Sequence, residues 1–236
     1  MAVAVVDLAG PKGRIIEAAL ALATERSWST VSLRDIAERA GVGLVGMRDH
    51  FASKGEVLAA FVRAVDNAVL GATPEYQKDD AKRDRLFEIV MARFDVLTPY
   101  KAALKSISRD RATDRAFIKA LVSSQAWMLE AAGIGAGGLD GGVRVAGLAT
   151  VYACVFRTWL NDDDPGQART MAALDRRLRR GEQTLASLSG AACTVRGVGR
   201  RVASIFSKAA SSRSKRRGSN AEPADDASVA AGAGGS

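Results

Sequence analysis

The side chains that could support catalysis or hold a metal are few in this chain. His50 is the only histidine, which excludes sites built from several histidines and leaves a histidine-based catalytic triad poorly supported. The aspartates of NDDDP (161–165) could bind a cation, but carboxylates at a helix start ordinarily cap free amides and complement the helix dipole. We therefore predict that the protein is not an enzyme and uses no cofactor or metal ion.

A glycine run, Gly133-x-Gly135-x-x-Gly138, has the spacing of a dinucleotide-binding loop. That loop works only after a strand and at the start of a crossover helix, where backbone amides face a pyrophosphate. A helical pattern precedes the run here. We interpret it as a loop between two helices.

The basic charge of the chain is concentrated towards the C-terminus. The net charge is +8 over 236 residues, but residues 183–221 hold eight lysines and arginines and no acid, and residues 1–182 carry only +3. Such an excess of positive charge favours anionic partners, either nucleic acid or an anionic membrane surface.

Cysteine usage and the absence of targeting patterns indicate the compartment. Cys154 and Cys193 fit no metal or redox spacing, which is typical of a reducing environment. The N-terminus has no signal-peptide pattern, and no stretch of about 20 uninterrupted apolar residues predicts a membrane span. We expect a cytoplasmic protein, which the basic tail could also bring to the inner face of the membrane.

The apolar residues recur at three- and four-residue spacing and prolines are scarce, which predicts an all-α fold. Ser32-x-x-Asp35 resembles a capping box for a second helix, which Gly41 would end. A short helix over residues 44–51 should follow. The inward side chains are expected to be Ile15, Ile16, Ala19, Leu20 and Ala23 in the first helix, and Val57, Leu58, Phe61, Val62, Val65 and Val69 in a longer helix capped by Ser53.

Further helices are predicted beyond a linker at residues 71–85. They cover residues 86–97, 100–108, 117–132 and 143–160, and a last helix begins at Asp164-Pro165 with Met171, Leu174 and Leu178 on one face. The low-complexity residues 211–236 are predicted to be disordered.

The stretch IIEAALALATERSWSTVSLRDIAERAGVG (15–43), followed by HFASKGEVLAAF (50–61), resembles the N-terminal domain of TetR-type transcriptional regulators. In that family the second short helix enters the DNA major groove, and the resemblance implies phosphate contacts for His50 and Lys54. Ile36, Ala37 and Phe51 are then interpreted as packing residues. The candidate DNA-binding residues are Ser32, Gly43, Leu44, Arg48, His50 and Lys54.

The predicted recognition helix departs from the family pattern. Gly43 stands where the family usually has a small hydroxyl residue, and Arg48 stands where it has a tyrosine. Residues 44–46 offer no side-chain hydrogen bonds, and Asp49 would repel the DNA backbone. Arg48 is the one strong candidate for reading a base, a contact worth about 1–3 kcal/mol. A helical module that no longer reads DNA sequence is therefore an open alternative.

The second half of the chain is similar to a different family, the bacterial and mitochondrial accessory proteins of ubiquinone biosynthesis. The similarity rests on LFEIVMARFDVLTPYKAAL (86–104), WMLEAAGI (127–134) and VFRTWLNDDDPGQARTMAALDRRLRR (155–180). It implies a TetR-like fold, an apolar lipid-binding cavity and a hydroxylase partner. The candidate cavity residues are Phe94, Trp127, Met128, Tyr152, Phe156 and Trp159, although large apolar residues at helical spacing are more often plain core.

The basic tail has the pattern of an amphipathic helix. Its apolar residues from Val195 to Phe206 fall on one side, while the basic residues lie mostly elsewhere. Such a helix can enter the headgroup region of an anionic membrane, a function that we favour over nonspecific DNA binding. The candidate surface residues are Val198, Arg200, Arg201, Val202, Ile205, Phe206 and Lys208.

These patterns favour a ligand-modulated, TetR-like regulator that binds double-stranded operator DNA as a homodimer through residues 143–160 and 165–180. The alternative is a lipid-binding accessory protein of ubiquinone biosynthesis that acts at the membrane without sequence-specific DNA binding. The expected organisation is a flexible N-terminus (1–10), a helix-turn-helix domain (11–70), a linker (71–85), a ligand-binding and dimerisation domain (86–189), a basic amphipathic helix (190–210) and a disordered tail (211–236).

Overall fold

The computed structural model describes residues 10–75, 77, 81–110 and 114–181, and these residues are helical without any strand. The helices are α1 (Gly10–Glu25), α2 (Leu33–Arg39), α3 (Leu44–His50), α4 (Lys54–Ala72), α5 (Lys82–Leu97), α6 (Lys101–Arg109), α7 (Arg115–Ala131), α8 (Gly138–Leu160) and α9 (168–181). The all-α prediction is confirmed. The amphipathic helix and tail predicted at 190–236 lie outside the described residues.

The helices of the N-terminal part begin and end where local chemistry predicts. Ser32 Oγ accepts a hydrogen bond from the Asp35 amide at 3.2 Å, and the Asp35 carboxylate accepts one from the Ser32 amide at 2.8 Å. Gly41 follows α2 with a φ of +65°, a conformation that favours glycine. Ser53 caps α4 by accepting from the Glu56 amide at 3.1 Å. The predicted capping box and both caps are confirmed.

Helix α4 is the centre of the molecule. Its main partner is α7, and it also packs on α1 and α5. All the side chains predicted to face inward from α1 and α4 are buried. All of them except Val62 belong to one apolar cluster that also takes in side chains of α5 and α8. The two predicted domains therefore share a core. Helix α4 packs on α1 of the first domain and on α5 and α7 of the second.

The connection between α4 and α5 is shorter than the linker predicted at 71–85. Helix α4 continues to Ala72 and α5 already begins at Lys82. The first turn of α5, residues 82–85, contains only charged side chains. The sequence there has no apolar periodicity that would predict a helix.

The start of α9 differs from the prediction. Pro165 lies in a turn, Gln167 has a φ of +52°, and the helix begins at residue 168. The Asp164 carboxylate does accept from backbone amides, including that of Ala168 at 3.1 Å. The buried Asp162 carboxylate holds the first turn by accepting from both the amide and the hydroxyl of Thr170, at 2.9 and 2.7 Å. The predicted start at Asp164-Pro165 is thus three residues early.

The inward face of α9 is also only partly as predicted. Leu174 and Leu178 are buried, but Met171 is 38% exposed. Thr170 takes the inward position because its hydroxyl is bound to Asp162. Met171 therefore belongs to the outer surface of this helix.

Helix α8 has the length and apolar composition of a membrane-spanning helix, and only about a fifth of its most apolar window is buried. Its buried side chains, Leu148, Tyr152, Val155 and Trp159, nevertheless anchor it in the core of the described residues. The remaining apolar side chains of this helix, including Leu139 and Val143, are exposed.

Candidate nucleic-acid interface and ligand cavity

Helix α3 projects from the N-terminal part with one face open to solvent. Leu44 is 53% exposed and Val45 is 76% exposed, and Arg48 and Asp49 are also exposed. Met47 points the other way and is 2% exposed. The short helix predicted over residues 44–51 is therefore present, and it ends one residue earlier, at His50.

Helix α3 is held in place by the residues that were predicted to pack beneath it. Ile36 and Ala37 of α2 are buried, and Phe51 is buried directly after α3. Met47 sits in the same cluster, and truncating a buried side chain of this size ordinarily costs about 2–5 kcal/mol. Helix α3 has only seven residues and no side-chain cap at Gly43. Its position therefore depends on these contacts.

Lys54 has a different first role from the phosphate contact that the family resemblance implies. Its Nζ donates to the carbonyl oxygens of Trp28 and Val31, at 2.9 and 2.6 Å, and lies 4.8 Å from the centre of the Trp28 ring. Desolvation lowers the pKa of this ammonium, against the opposing effect of Asp110 and Asp35. Lys54 ties the start of α4 to the 3₁₀ turn Trp28–Thr30 and to Val31 directly after it, and only its third N–H remains for a phosphate.

The other candidate DNA-binding residues lie at the ends of the two short helices α2 and α3. Ser32 is exposed at the start of α2, and Gly43 is exposed at the start of α3. His50 is half-buried, with its ring edge-on to Phe51 at a centroid distance of 6.5 Å. These positions leave the termini of both short helices accessible.

Sequence analysis missed Arg34, which is exposed in the first turn of α2. The neighbouring cations are held in ion pairs, Arg26 with Asp35 at 2.7 Å and Arg39 with Glu25 at 2.6 Å. Among the described residues Arg34 has no such pair. The sequence did contain a signal for a phosphate contact by Arg34. This residue stands two positions after the Ser32 cap, and phosphates commonly bind at helix N-termini.

A cavity of about 490 Å³ lies between α4, α5, α6, α7 and α8. That volume falls within the usual range of small-molecule sites, roughly 300–1,000 Å³. Its wall is mainly apolar, with aliphatic and aromatic side chains from all five helices. The apolar cavity implied by the family resemblances is therefore present.

Only two of the six candidate cavity residues, Tyr152 and Phe156, line this cavity. Phe94 and Trp159 stack behind them at ring distances of 5.4–5.5 Å, and Met128 is in the core. Trp127 is 57% exposed and lines a separate cavity of about 770 Å³ beside α4. The helical spacing in the sequence correctly placed five of the six residues on inward faces. It could not distinguish residues that line the cavity from residues that pack in the core behind it.

A buried polar cluster adjoins the cavity. The Arg93 guanidinium forms an ion pair with Asp66, and its Nε donates to the Tyr152 hydroxyl at 3.1 Å. Ser124 Oγ donates to the same Asp66 oxygen at 2.7 Å. Burial raises the pKa of Tyr152, against the opposing effect of the Arg93 charge. This cluster joins α4, α5, α7 and α8.

The sequence did carry a signal for this cluster. Arg93 and Asp66 lie on the apolar faces of α5 and α4, where the helical period aligns Arg93 with Val90 and Leu97, and Asp66 with Val62 and Val69. A charge on an inward face predicts a buried partner, since an unpaired buried charge is costly. The partner itself is 27 residues away in sequence.

Asp110 at the end of α6 and Asp114 at the start of α7 fasten the second half of the chain to the N-terminal helices. Asp110 accepts from Ser27 Oγ at 2.7 Å and from the Ser29 amide at 2.6 Å. Asp114 accepts from Ser53 Oγ at 3.1 Å and caps α7. A Cβ on Gly55 would lie 1.8 Å from Asp114 Cγ. Two carboxylates thus contact the elements on either side of α2 and α3.

Comparisons with known proteins agree with this architecture. Residues 15–61 match the family model described as bacterial regulatory proteins, tetR family. A curated relative, the HTH-type transcriptional activator FasR of Mycolicibacterium smegmatis (strain ATCC 700084 / mc(2)155), is 28% identical over 175 residues, which cover 65% of this chain and 74% of the relative.

Solved structures share the fold. A TetR transcriptional regulator from Nitrosomonas europaea ATCC 19718 has a TM-score of 0.56 and 24% identity, over 73% of this chain and 98% of the other. A TetR transcriptional regulator from Rhodococcus sp. RHA1 has a TM-score of 0.51 and 22% identity, over 71% and 94%. The resemblance of residues 86–180 to the ubiquinone accessory family stays a prediction. The chain is therefore similar to TetR-type helix-turn-helix regulators over residues 15–61, and its described residues share their fold.

Proposed function

We propose that this chain is a TetR-type regulator that binds operator DNA as a homodimer, with α3 of each copy in the major groove, and that a ligand in the α4–α8 cavity modulates the binding. Regulators of the TetR type bind operator DNA in the cytoplasm, typically as dimers that respond to small molecules. The observation that carries the proposal is the outward face of α3, where Arg48 stands exposed while Met47 anchors the helix from below.

In this proposal Arg48 reads a guanine, and Leu44 and Val45 contact thymine methyl groups. Arginine is suited to guanine because it can donate two hydrogen bonds to O6 and N7 in the major groove. Leu44 and Val45 have the exposed apolar surface that such methyl contacts require. Gly43 lets the backbone come close to the DNA, since nothing lies within 4 Å of its Cβ position.

Phosphate contacts would come from the termini of α2 and α3. Ser32, Arg34 and His50 are the proposed donors, because phosphate contacts set the position of the protein without reading sequence. Lys54 would add at most one N–H, as two are already used within the protein.

The outer face of α8 supports the dimer. Val143 is 57% exposed, and the exposed positions that follow at Ala146, Gly147 and Thr150 are small and uncharged. Small side chains at helical spacing allow a second helix to approach closely. Met171, exposed on α9, adds to the apolar surface. We propose that α8 and α9 of two copies form a four-helix bundle, which would set the distance between the two α3 helices.

Selection of bound duplexes from a random library, followed by binding titrations at several salt concentrations, tests the DNA proposal. A regulator should enrich a pseudopalindrome and prefer it over random duplex by a large factor. Phosphate contacts should give an affinity that falls steeply with salt. Equal binding of all duplexes, lost when residues 190–236 are removed, would show that only the basic tail contacts DNA.

The membrane surface predicted at residues 198–208 stays a prediction. Co-sedimentation of the full chain and of a chain ending at residue 189 with anionic liposomes separates it from DNA binding. Liposome binding by the full chain alone would assign the membrane contact to the tail, while equal behaviour of both chains would remove that assignment.

A further inference from the structure

The wall of the α4–α8 cavity contains a polar atom without a partner. Gln125 of α7 is 2% exposed and lines the cavity. Its Oε1 atom is fully buried and has no hydrogen-bond partner among the described residues. An unsatisfied buried acceptor ordinarily costs about 1–3 kcal/mol, so a group that donates to this oxygen would gain from entering the cavity.

The orientation of the Gln125 amide follows from its other contact. The Nε2 atom donates to the Leu121 carbonyl oxygen at 3.2 Å, one turn earlier on α7. The reverse orientation would place two acceptors against each other. The unpartnered atom of this side chain is therefore the oxygen, which can only accept a hydrogen bond.

The Tyr152 hydroxyl is a second polar group on this wall. It accepts from Arg93 Nε at 3.1 Å, which leaves its own proton available to an acceptor. An alcohol can donate to Gln125 or accept from Tyr152, whereas an ether can only accept and a carboxylate cannot donate.

The charge in the cavity wall near these groups is already balanced. Arg93 lines the cavity, but Asp66 neutralises its guanidinium, and both side chains are at least nine-tenths buried. A ligand carboxylate that took Arg93 as its partner would leave Asp66 buried without its cation. Breaking a buried pair in this way ordinarily costs about 3–5 kcal/mol, which disfavours an anionic ligand.

We infer that the modulating ligand is an uncharged molecule with an apolar body and a hydroxyl or N–H group that donates to Gln125 Oε1. The inference rests on the proposed function, which it extends by naming the class of ligand. The apolar body would lie against the side chains contributed by α4, α6 and α7, such as Val62, Ile107 and Leu121.

The test compares three probes of equal chain length by isothermal titration calorimetry on the full chain without DNA: 1-octanol, 1-methoxyoctane and octanoate. We expect 1-octanol to bind about three- to tenfold more tightly than 1-methoxyoctane, as one neutral hydrogen bond ordinarily contributes about 0.5–1.5 kcal/mol. Octanoate should bind more weakly than 1-octanol.

Two variants locate the effect. Gln125→Met keeps an unbranched side chain of similar length and should bring 1-octanol and 1-methoxyoctane to within about twofold of each other. Ser123→Ala, on the same helix but in the wall of the other cavity, should keep the wild-type difference.

Equal binding of alcohol and ether by the wild-type chain overturns the inference, as does tightest binding of octanoate or no saturable binding of any probe. These outcomes need no variant to fold. They also leave the DNA selection unaffected, because that experiment contains no ligand, so the proposed ligand class and the proposed DNA function can fail separately.

Discussion

At the scale of single residues, the surface of α3 concentrates polar base recognition in one side chain. Arg48 is the only residue between 44 and 50 whose side chain can donate two hydrogen bonds from an exposed position. Leu44 and Val45 can add apolar contacts only. Affinity should therefore depend strongly on one guanidinium, and specificity should be modest.

Replacing Arg48 with Ala is expected to lower affinity for the selected operator by about tenfold or more, because a bidentate contact contributes about 1–3 kcal/mol. Affinity for random duplex should fall much less. Fluorescence anisotropy on both duplexes measures the two effects. Lys119→Ala, which removes one exposed cation on α7, is the matched control, and an equal loss in both variants would contradict the role of Arg48.

Two glycines provide opposite tests of packing. A methyl group at Gly46 would meet nothing closer than Val42 Cβ at 3.9 Å, whereas one at Gly55 would overlap Asp114. Gly46→Ala should raise the free energy of unfolding by about 0.5–1 kcal/mol, the usual gain over glycine in a helix. Gly55→Ala should lower it by about 1–3 kcal/mol through overpacking. Urea unfolding measures both, and the same sign of change in the two variants would refute this account.

At the scale of helices and turns, predictions succeeded where the partners are close in sequence. The Ser32–Asp35 capping box, the Ser53 cap and the glycine after α2 all act within four residues, so the sequence contains both partners of each contact. Lys54 could not be assigned in this way, since its partner carbonyls lie 23 and 26 residues earlier. The family resemblance supplied a role for its charge, but the fold directs that charge, which is half-buried, to two backbone carbonyl oxygens.

The residues of the cavity were also difficult to predict, because their contacts join helices that are far apart in sequence. Tyr152 and Phe156 were among its candidate residues because they are large and apolar, a property that Phe94 and Trp159 share while packing behind them. Gln125 was not a candidate, because a glutamine within a helix ordinarily faces solvent. Only the packing of α7 against α4 and α8 makes its oxygen a buried acceptor.

The contacts of Asp110 with the 3₁₀ turn predict a dependence of stability on pH. Hydrogen bonds from Ser27 and from the Ser29 amide lower the pKa of Asp110. A carboxylate whose pKa is lower in the folded state stabilises the fold above its unfolded pKa of about 3.9, and that contribution is lost as pH falls through the folded value. Urea midpoints should therefore drop between about pH 5 and pH 3. Asp110→Asn should show a smaller drop, and an unchanged slope would exclude Asp110 as a contributor.

At the scale of the whole molecule, the exposed apolar face of α8 is the surface through which we propose that two copies assemble. A single chain would leave Val143 and Leu139, 57% and 93% exposed, beside small neighbours on a long helix. A second copy can cover this surface with no change in the core. The proposed dimer would also give DNA binding the two-fold symmetry of a pseudopalindrome.

Ala146→Glu should disrupt the dimer, because two copies of the new carboxylate would face each other in the proposed bundle. We expect light scattering to show a monomer and operator affinity to fall at least tenfold, since two half-sites would no longer be bound together. Ala102→Glu, an equally exposed substitution on α6, is the control. A dimer that survives Ala146→Glu would place the interface elsewhere.

The cavity wall has a polar part that braces the fold and an apolar part that does not. This difference determines which residues could be mutated to change the ligand specificity of a biosensor built on this protein. The ion pair of Arg93 and Asp66 braces four helices, so replacing either partner alone would endanger folding before it altered selectivity. Leu104 and Ile107 of α6 line the cavity without belonging to that brace. A library that varies these two side chains could therefore reshape the chamber for bulkier or shorter inducers while the scaffold that carries the response stays intact.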